Sequence, residues 1–200
     1  MKNILLICMM IFCLVLRWSV VNSEEGFYVI AAKRNNFAPV PKTGQTSSYA
    51  TGDDGQLGKG VALPNPRYTD NGDGTVTDNL TELIWLKDTN CFGTRNWANA
   101  LSDCNTLDSG ECGLTDGSSE GDWRLPNVKE LQSLIDHGQD TPALPSGYYN
   151  FFTGTQGIYW SSTTNAGGTD NAWYISVSQG YGYYEGKTNV NYVWPVRGGN

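Results

Sequence analysis

"RYTDNGDGTVTDNLTELIWL", Arg67 to Leu86, is the stretch whose reading decides the fold. "RYTD" and "TVTD" are short β-prone segments, and between them stand Asn71, Gly72, Asp73 and Gly74. Asn-Gly and Asp-Gly pairs favour tight turns, because glycine reaches positive φ freely and Asn or Asp side chains bond to nearby backbone amides. A hairpin is therefore expected, followed by a short buried strand at "LIWL", Leu83–Leu86. The stretch also offers oxygen ligands for calcium in Asp70, Asn71 and Asp73. An EF-hand loop takes ligands at positions 1, 3 and 5, glycine at 6 and a bidentate carboxylate at 12. With Gly74 at the glycine position, Thr69 falls at the first position and Leu80 at the last. With Asp70 first, Gly72 and Gly74 occupy ligand positions. The hairpin is the economical reading and calcium the alternative, with Asp53 and Asp54 of "TGDDGQLG" a second acidic pair. No other cofactor is expected.

Beyond this stretch, helical and strand periods separate cleanly. "TRNWANALSDCNTL", Thr94 to Leu107, places Trp97, Leu101 and Cys104 on one face and predicts a first helix. "LPNVKELQSLIDHG" predicts a second, with Pro126 at its first position, Asn127 as a capping residue, Val128, Leu131, Leu134 and Ile135 on one face, and Gly138 at its end. From Thr141 onward the period is two. "IYWSSTT", "NAWYISVS" and "NYVWPVRGG" read as antiparallel strands broken by Gly and Asn clusters. The expected class is α+β, with two helices flanking a mostly antiparallel sheet with long loops.

Upstream, "MKNILLICMMIFCLVLRWSVVNSEEG" has Lys2, an apolar run from Ile4 to Leu16 and a polar exit, the layout of a signal peptide ending at residue 23. The run is shorter than the roughly 20 residues a membrane-spanning helix needs. The expectation is a secreted, periplasmic or cell-surface protein with no transmembrane segment after cleavage. A strand over Gly26–Lys33 and a Pro-, Gly- and Ser-rich arm then fill residues 24–66, ahead of one globular domain at 67–200. Without Lys2 and Arg17, 11 basic residues face 20 acidic ones, a net charge of −9. That balance opposes nucleic acid and anionic membranes as partners.

Catalysis finds little support in the residue types. His137 is the only histidine and adjoins Asp136 at a helix end, a position that suits a cationic side chain structurally. There is no Gly-x-Ser-x-Gly elbow, no phosphate-binding glycine loop and no Cys-x-x-Cys pair, so the chain is not expected to be an enzyme or a zinc protein. In "DWRLP", Trp123 and Leu125 read as core, and Arg124 as the partner of a carboxylate such as Glu130. Arg197 is read the same way, as a structural cation. Three cysteines follow the leader, Cys91, Cys104 and Cys112, of which two should pair in an oxidising compartment. Spacing leaves open which.

"YTDNGDGTVTDNLTELIWLKD", "GDWRLPNVKELQSLID", "YWSSTT", "AWYISVS" and "YVWPVRGG", in this order, resemble the Lcl C-terminal domain family, the head domain of collagen-like bacterial adhesins, over roughly Gly44 to Gly199. The resemblance implies a C-type-lectin-like fold whose long loops form the binding surface, and an adhesin-type role. It also implies that Cys91 pairs with Cys112, leaving Cys104 on the first helix. The collagen-like adhesins bind sulfated polysaccharides through this domain, yet this chain has no collagen repeat and a strongly negative charge. Glu82 stands where relatives usually carry glycine; if that turn needs positive φ, Glu82 bears a steric cost.

The last sixty residues hold 13 of the 24 aromatic side chains but only two basic and two acidic ones. In "NAWYISVS", Trp173, Ile175 and Val177 share a face, as a half-buried strand requires. "QGYGYYEGKTNVNY" reads instead as a Gly-rich loop and return strand carrying Tyr181, Tyr183, Tyr184, Asn189, Asn191 and Tyr192. Aromatic faces beside amide donors suit neutral sugars; the alternative is that these tyrosines only cap the sheet. The favoured function is a lectin-like adhesion module binding a glycan or protein; the second reading is an envelope assembly module that acts by protein contacts, oligomerisation included, and the least favoured is an enzyme with an unrecognised site.

Overall fold

The computed structural model describes residues 20–23, 26–29 and 40–198. Most of the expected signal peptide, and the arm between residues 30 and 39, lie outside the described residues. The chain forms two compact units, Met1–Ala38 and Pro39–Asn200. In the first, β1 (Val20–Ser23) pairs antiparallel with β2 (Gly26–Val29), so the expected strand at Gly26 is present as far as Val29.

The second unit begins with the arm, which carries a one-turn helix, α1 (Asp54–Leu57). Asp53 caps it: its carboxylate accepts the amides of Gln56, Tyr49 and Ala50 and the Ser48 hydroxyl. The acidic pair of "TGDDG" therefore begins a helix. The arm is tied to the domain by the His137 amide, which donates to the Thr43 carbonyl at 2.7 Å.

The opening hairpin forms as read. β3 (Tyr68–Asp70) pairs with β4 (Thr75–Asp78), and β4 with β5 (Ile84–Leu86). With β11 (Val196–Arg197) they make an antiparallel sheet in the order β11-β5-β4-β3. Gly74 is constrained twice, by φ +87° and by the Gly113 carbonyl, which a Cβ would meet at 2.4 Å. Asp78 organises the next turn. Its buried carboxylate takes two bonds from Arg67 at 2.7 Å, the Leu80 amide at 2.8 Å and the Thr81 hydroxyl at 2.9 Å. Glu82 closes this turn at φ +60°, so the glycine-like conformation is kept and the steric cost is present.

The second sheet has the order β6-β10-β7-β8-β9, built from β6 (Thr94–Asn96), β7 (Ile158–Thr164), β8 (Asn171–Ser176), β9 (Tyr181–Gly186) and β10 (Val190–Tyr192). All its neighbours are antiparallel except β10 and β7. The first helix, α2 (Trp97–Thr106), starts three residues later than its sequence period suggests. Thr94–Asn96 pair with β10 instead, and the Asn96 side chain caps the helix by accepting the Asn99 amide. The second, α3 (Val128–Ser133), opens with a reciprocal capping box between Asn127 and Glu130, so Pro126 precedes the cap rather than following it. It ends well before Gly138, because the amides of Asp136 and His137 turn to the carbonyls of Ala143 and Thr43. A single 3-10 turn spans Tyr148–Asn150.

Alternation along the strands sends neighbouring side chains into two cores. Tyr159 and Trp194 enter the larger one, with Trp85, Trp123, Leu131 and Ile175, while Trp160 and Val193 enter a smaller one under Ala100 and Cys104 of α2. Trp85, Trp123, Trp160 and Trp194 are fully buried. Each contributes about 4–6 kcal/mol of gross burial before entropy is subtracted. The buried indole N–H groups of Trp123, Trp160 and Trp194 donate to Ser118 Oγ, the Arg95 carbonyl and the Leu86 carbonyl. That of Trp85 has no partner. The molecule is thus a mixed helix-and-sheet fold, mostly strands, with open and mainly antiparallel sheets.

Candidate functional site

The tyrosine-rich segment is a strand and not the expected loop. β9 pairs along its whole length with β8, Trp173 opposite Tyr184 and Tyr174 opposite Tyr183, and it forms one edge of the five-stranded sheet. The pairing explains the sequence: Gly182 lies opposite Ile175, and a Cβ at Gly182 would meet Ile175 Cδ1 at 2.9 Å. Large side chains are confined to the positions on either side.

Tyr181, Tyr183 and Tyr184 stay 46%, 55% and 37% exposed, whereas the aromatic residues facing the cores are buried. The rings of Tyr183 and Tyr184 stack, with centroids 4.7 Å apart and planes inclined by 14°. Consecutive strand residues start from opposite faces, so this stack forms where β9 has no outer neighbour. Tyr184 also meets Trp173 edge-on at 5.5 Å, and Tyr183 meets Tyr174 at 6.5 Å. Burial raises the Tyr174 phenol above its ordinary pKa, with Tyr181 and Glu185 adding to the effect.

Tyr181, Tyr183 and Glu185 lie at i, i+2 and i+4 and share a face. Glu185 links this row to two of the predicted amides. Asn189 Nδ2 donates to one carboxylate oxygen at 3.0 Å, and Asn191 Nδ2 donates to the other. Tyr181, Tyr183 and Tyr184 thus share the exposed strand, and Asn189 and Asn191 are joined to it through Glu185, Asn189 exposed and Asn191 buried. Tyr192 is not with them; it packs against the larger core, 6.2 Å from the Tyr159 ring. Glu185, Trp173 and Tyr174 were not among the expected site residues. The period-two spacing of Glu185 from the tyrosines was the available signal, hidden by reading the glycines as a loop.

Lys187 and Arg95 are engaged. Lys187 Nζ stands 4.0 Å over the Trp97 ring and donates to Thr164 Oγ1 at 2.9 Å. Arg95 is paired with Asp103 at 2.6 Å. Elsewhere, a shallow cleft of about 440 Å³ runs between α2 and the "RLP" segment, lined by Leu101, Ser102, Asn105, Arg124, Leu125 and Ser162. Arg124 holds Glu130 through two bonds of 2.7 and 2.6 Å, the carboxylate partner its sequence context implies. Arg197 meets the buried Asp116 carboxylate at 3.0 Å and lies over Trp123.

In the opening hairpin, Asp70 bonds Lys87 at 2.6 Å, which holds its carboxyl below the usual range. Asp73 accepts both the amide and the hydroxyl of Thr75, and Asn71 donates to Thr75 and Thr77. These side chains hold the turn together. Among the described residues, no group of three or more His, Cys, Asp or Glu is placed to share a metal ion.

The disulfide joins Cys91 to Cys112, and Cys104 is free and buried on the inner face of α2. Residues 74–197, more than half of the chain, match the Lcl C-terminal domain. The chain belongs to the Lcl C-terminal domain family. The match starts at Gly74, just before β4, and ends at Arg197 in β11, so it takes in the five-stranded sheet, α2, α3 and all of the four-stranded sheet except β3. No curated protein matches the chain. Among the described residues, no helix of this Lcl C-terminal domain protein is long and apolar enough to cross a membrane.

Proposed function

We propose that this Lcl C-terminal domain is a secreted or envelope-associated, non-catalytic binding module. It has a C-type-lectin-like arrangement and takes a carbohydrate at the tyrosine-bearing edge of the five-stranded sheet. The supporting observation is the stacked, solvent-facing Tyr183–Tyr184 pair beside Tyr181. Tyr49 and Tyr149 are also exposed, but on separate segments; three exposed tyrosines on one strand form a concentrated aromatic surface. Such a surface packs against the C–H face of a sugar ring while hydroxyl, amide and carboxylate groups at its rim orient the sugar's hydroxyls.

A glycan array probed with the purified domain tests this reading. Tyr183→Ala and Tyr184→Ala are expected to abolish the signal while leaving the melting temperature close to the parent's, because both rings are largely outside the cores. An array on which the parent protein binds nothing refutes it. Membership of an adhesin-type family is a further support, and fractionation of the producing cells tests the envelope location.

A further inference from the structure

The charge around the tyrosine edge restricts what that edge accepts. Glu185 shares a face with Tyr181 and Tyr183, and its two oxygens each take one amide hydrogen, from Asn189 and Asn191. A carboxylate has about four acceptor positions, so acceptor capacity remains for a ligand. The basic side chain nearest in sequence, Lys187, is held over Trp97 and bonded to Thr164, and Arg95 is neutralised by Asp103. On the face shared with Tyr181 and Tyr183, Glu185 therefore supplies a negative charge while Lys187 and Arg95 are held by other partners, in a chain whose net charge is −7.

We infer that Glu185 is the specificity-determining residue of this edge. It accepts hydrogen bonds from the hydroxyl groups of an uncharged saccharide lying on Tyr183, and it excludes sulfated and carboxylated chains. The inference rests on the carbohydrate reading above and names its ligand class. Sulfate or carboxylate placed beside Glu185 would meet like charge, with Lys187 and Arg95 already held by Trp97, Thr164 and Asp103. A neutral sugar instead supplies the donors that an anionic acceptor bonds most strongly.

Matched polymers that differ only in sulfation, dextran and dextran sulfate, immobilised together with a panel of other neutral polysaccharides, provide the test. The parent protein is expected to bind a neutral polymer and not the sulfated one. Glu185→Gln should weaken neutral binding by at least about tenfold, the loss of one charge-assisted hydrogen bond. Glu185→Lys should shift the preference toward dextran sulfate. A purely structural role for Glu185 would lower both signals together and would not change their ratio, so the ratio carries the result. Preference of the parent for the sulfated polymer, or unchanged neutral binding by Glu185→Gln, overturns the inference while Tyr183→Ala still reports on the edge itself. Absence of binding to every neutral and sulfated polymer overturns both.

Discussion

At the scale of single residues, the Asp78 carboxylate carries more of the local structure than any other side chain in the opening hairpin. It is fully buried, and Arg67 is its charge partner at 2.7 Å. Asp78→Ala leaves the buried guanidinium uncompensated and frees the turn bonds to Leu80 and Thr81. A loss of about 3–5 kcal/mol is expected in urea unfolding. Four residues on, Glu82 occupies left-handed backbone space at φ +60°. Glycine there removes the Cβ clash but adds unfolded-state entropy, so Glu82→Gly should raise stability by about 0.5–1 kcal/mol. A measured loss would mean that the Glu82 side chain contributes a compensating contact. Both residues sit in "TDNLTEL", where the Asp and the glycine-like turn position were legible, but the distant partner Arg67 was not assigned. Ion pairing between residues eleven apart depends on the hairpin register, which only the folded sheet sets.

Among the elements, the two short helices depend on their caps. Asn127→Ala should cost about 1 kcal/mol, the usual worth of an N-cap. Glu130→Ala should cost more, since Glu130 both closes the capping box and holds Arg124; chemical denaturation of the two variants side by side checks the order. The α1 turn of the arm responds to acid in a defined direction. Bonds from the Tyr49 and Gln56 amides lower the Asp53 carboxyl to about 2. Its folded-state pKa is depressed, so its contribution is complete above the ordinary carboxylate range and is lost as pH falls toward 2. The amide resonances of Tyr49 and Gln56 should titrate with a midpoint of about 2. A midpoint near the unperturbed value of about 4 would show that the cap is not formed in solution.

For the molecule as a whole, the Cys91–Cys112 bond closes a loop across the region that joins the two sheets. Replacing both cysteines by serine should cost about 3 kcal/mol, within the range for a loop of this length. Burial in the smaller core raises the Cys104 thiol well above its ordinary pKa. It should therefore resist a thiol-specific reagent in the native protein and react in step with global unfolding. Rapid reaction under native conditions would place Cys104 outside the core of α2.

What the sequence determined by itself was the local chemistry. Asn-Gly and Asp-Gly dictated the hairpin, the period-two runs dictated strands, Cys104 was legible as core because its spacing from Trp97 and Leu101 matched a buried face, and Trp123 and Leu125 were legible as apolar residues ahead of a helix. Arg124 could be paired with Glu130 because both lie within one turn of the same helix start. The tertiary structure decided the rest. Thr94–Asn96 became strand instead of helix because β10 supplied partners, and the glycines of "YGYYEG" became a sheet edge because β8 needed room for Ile175 opposite Gly182. Tyr192 left the candidate site for the core, and Glu185 joined it. Hydrogen-bond partners along a strand come from chain segments far away in sequence, so which face of β9 meets solvent could be settled only once the sheet had closed around its neighbours.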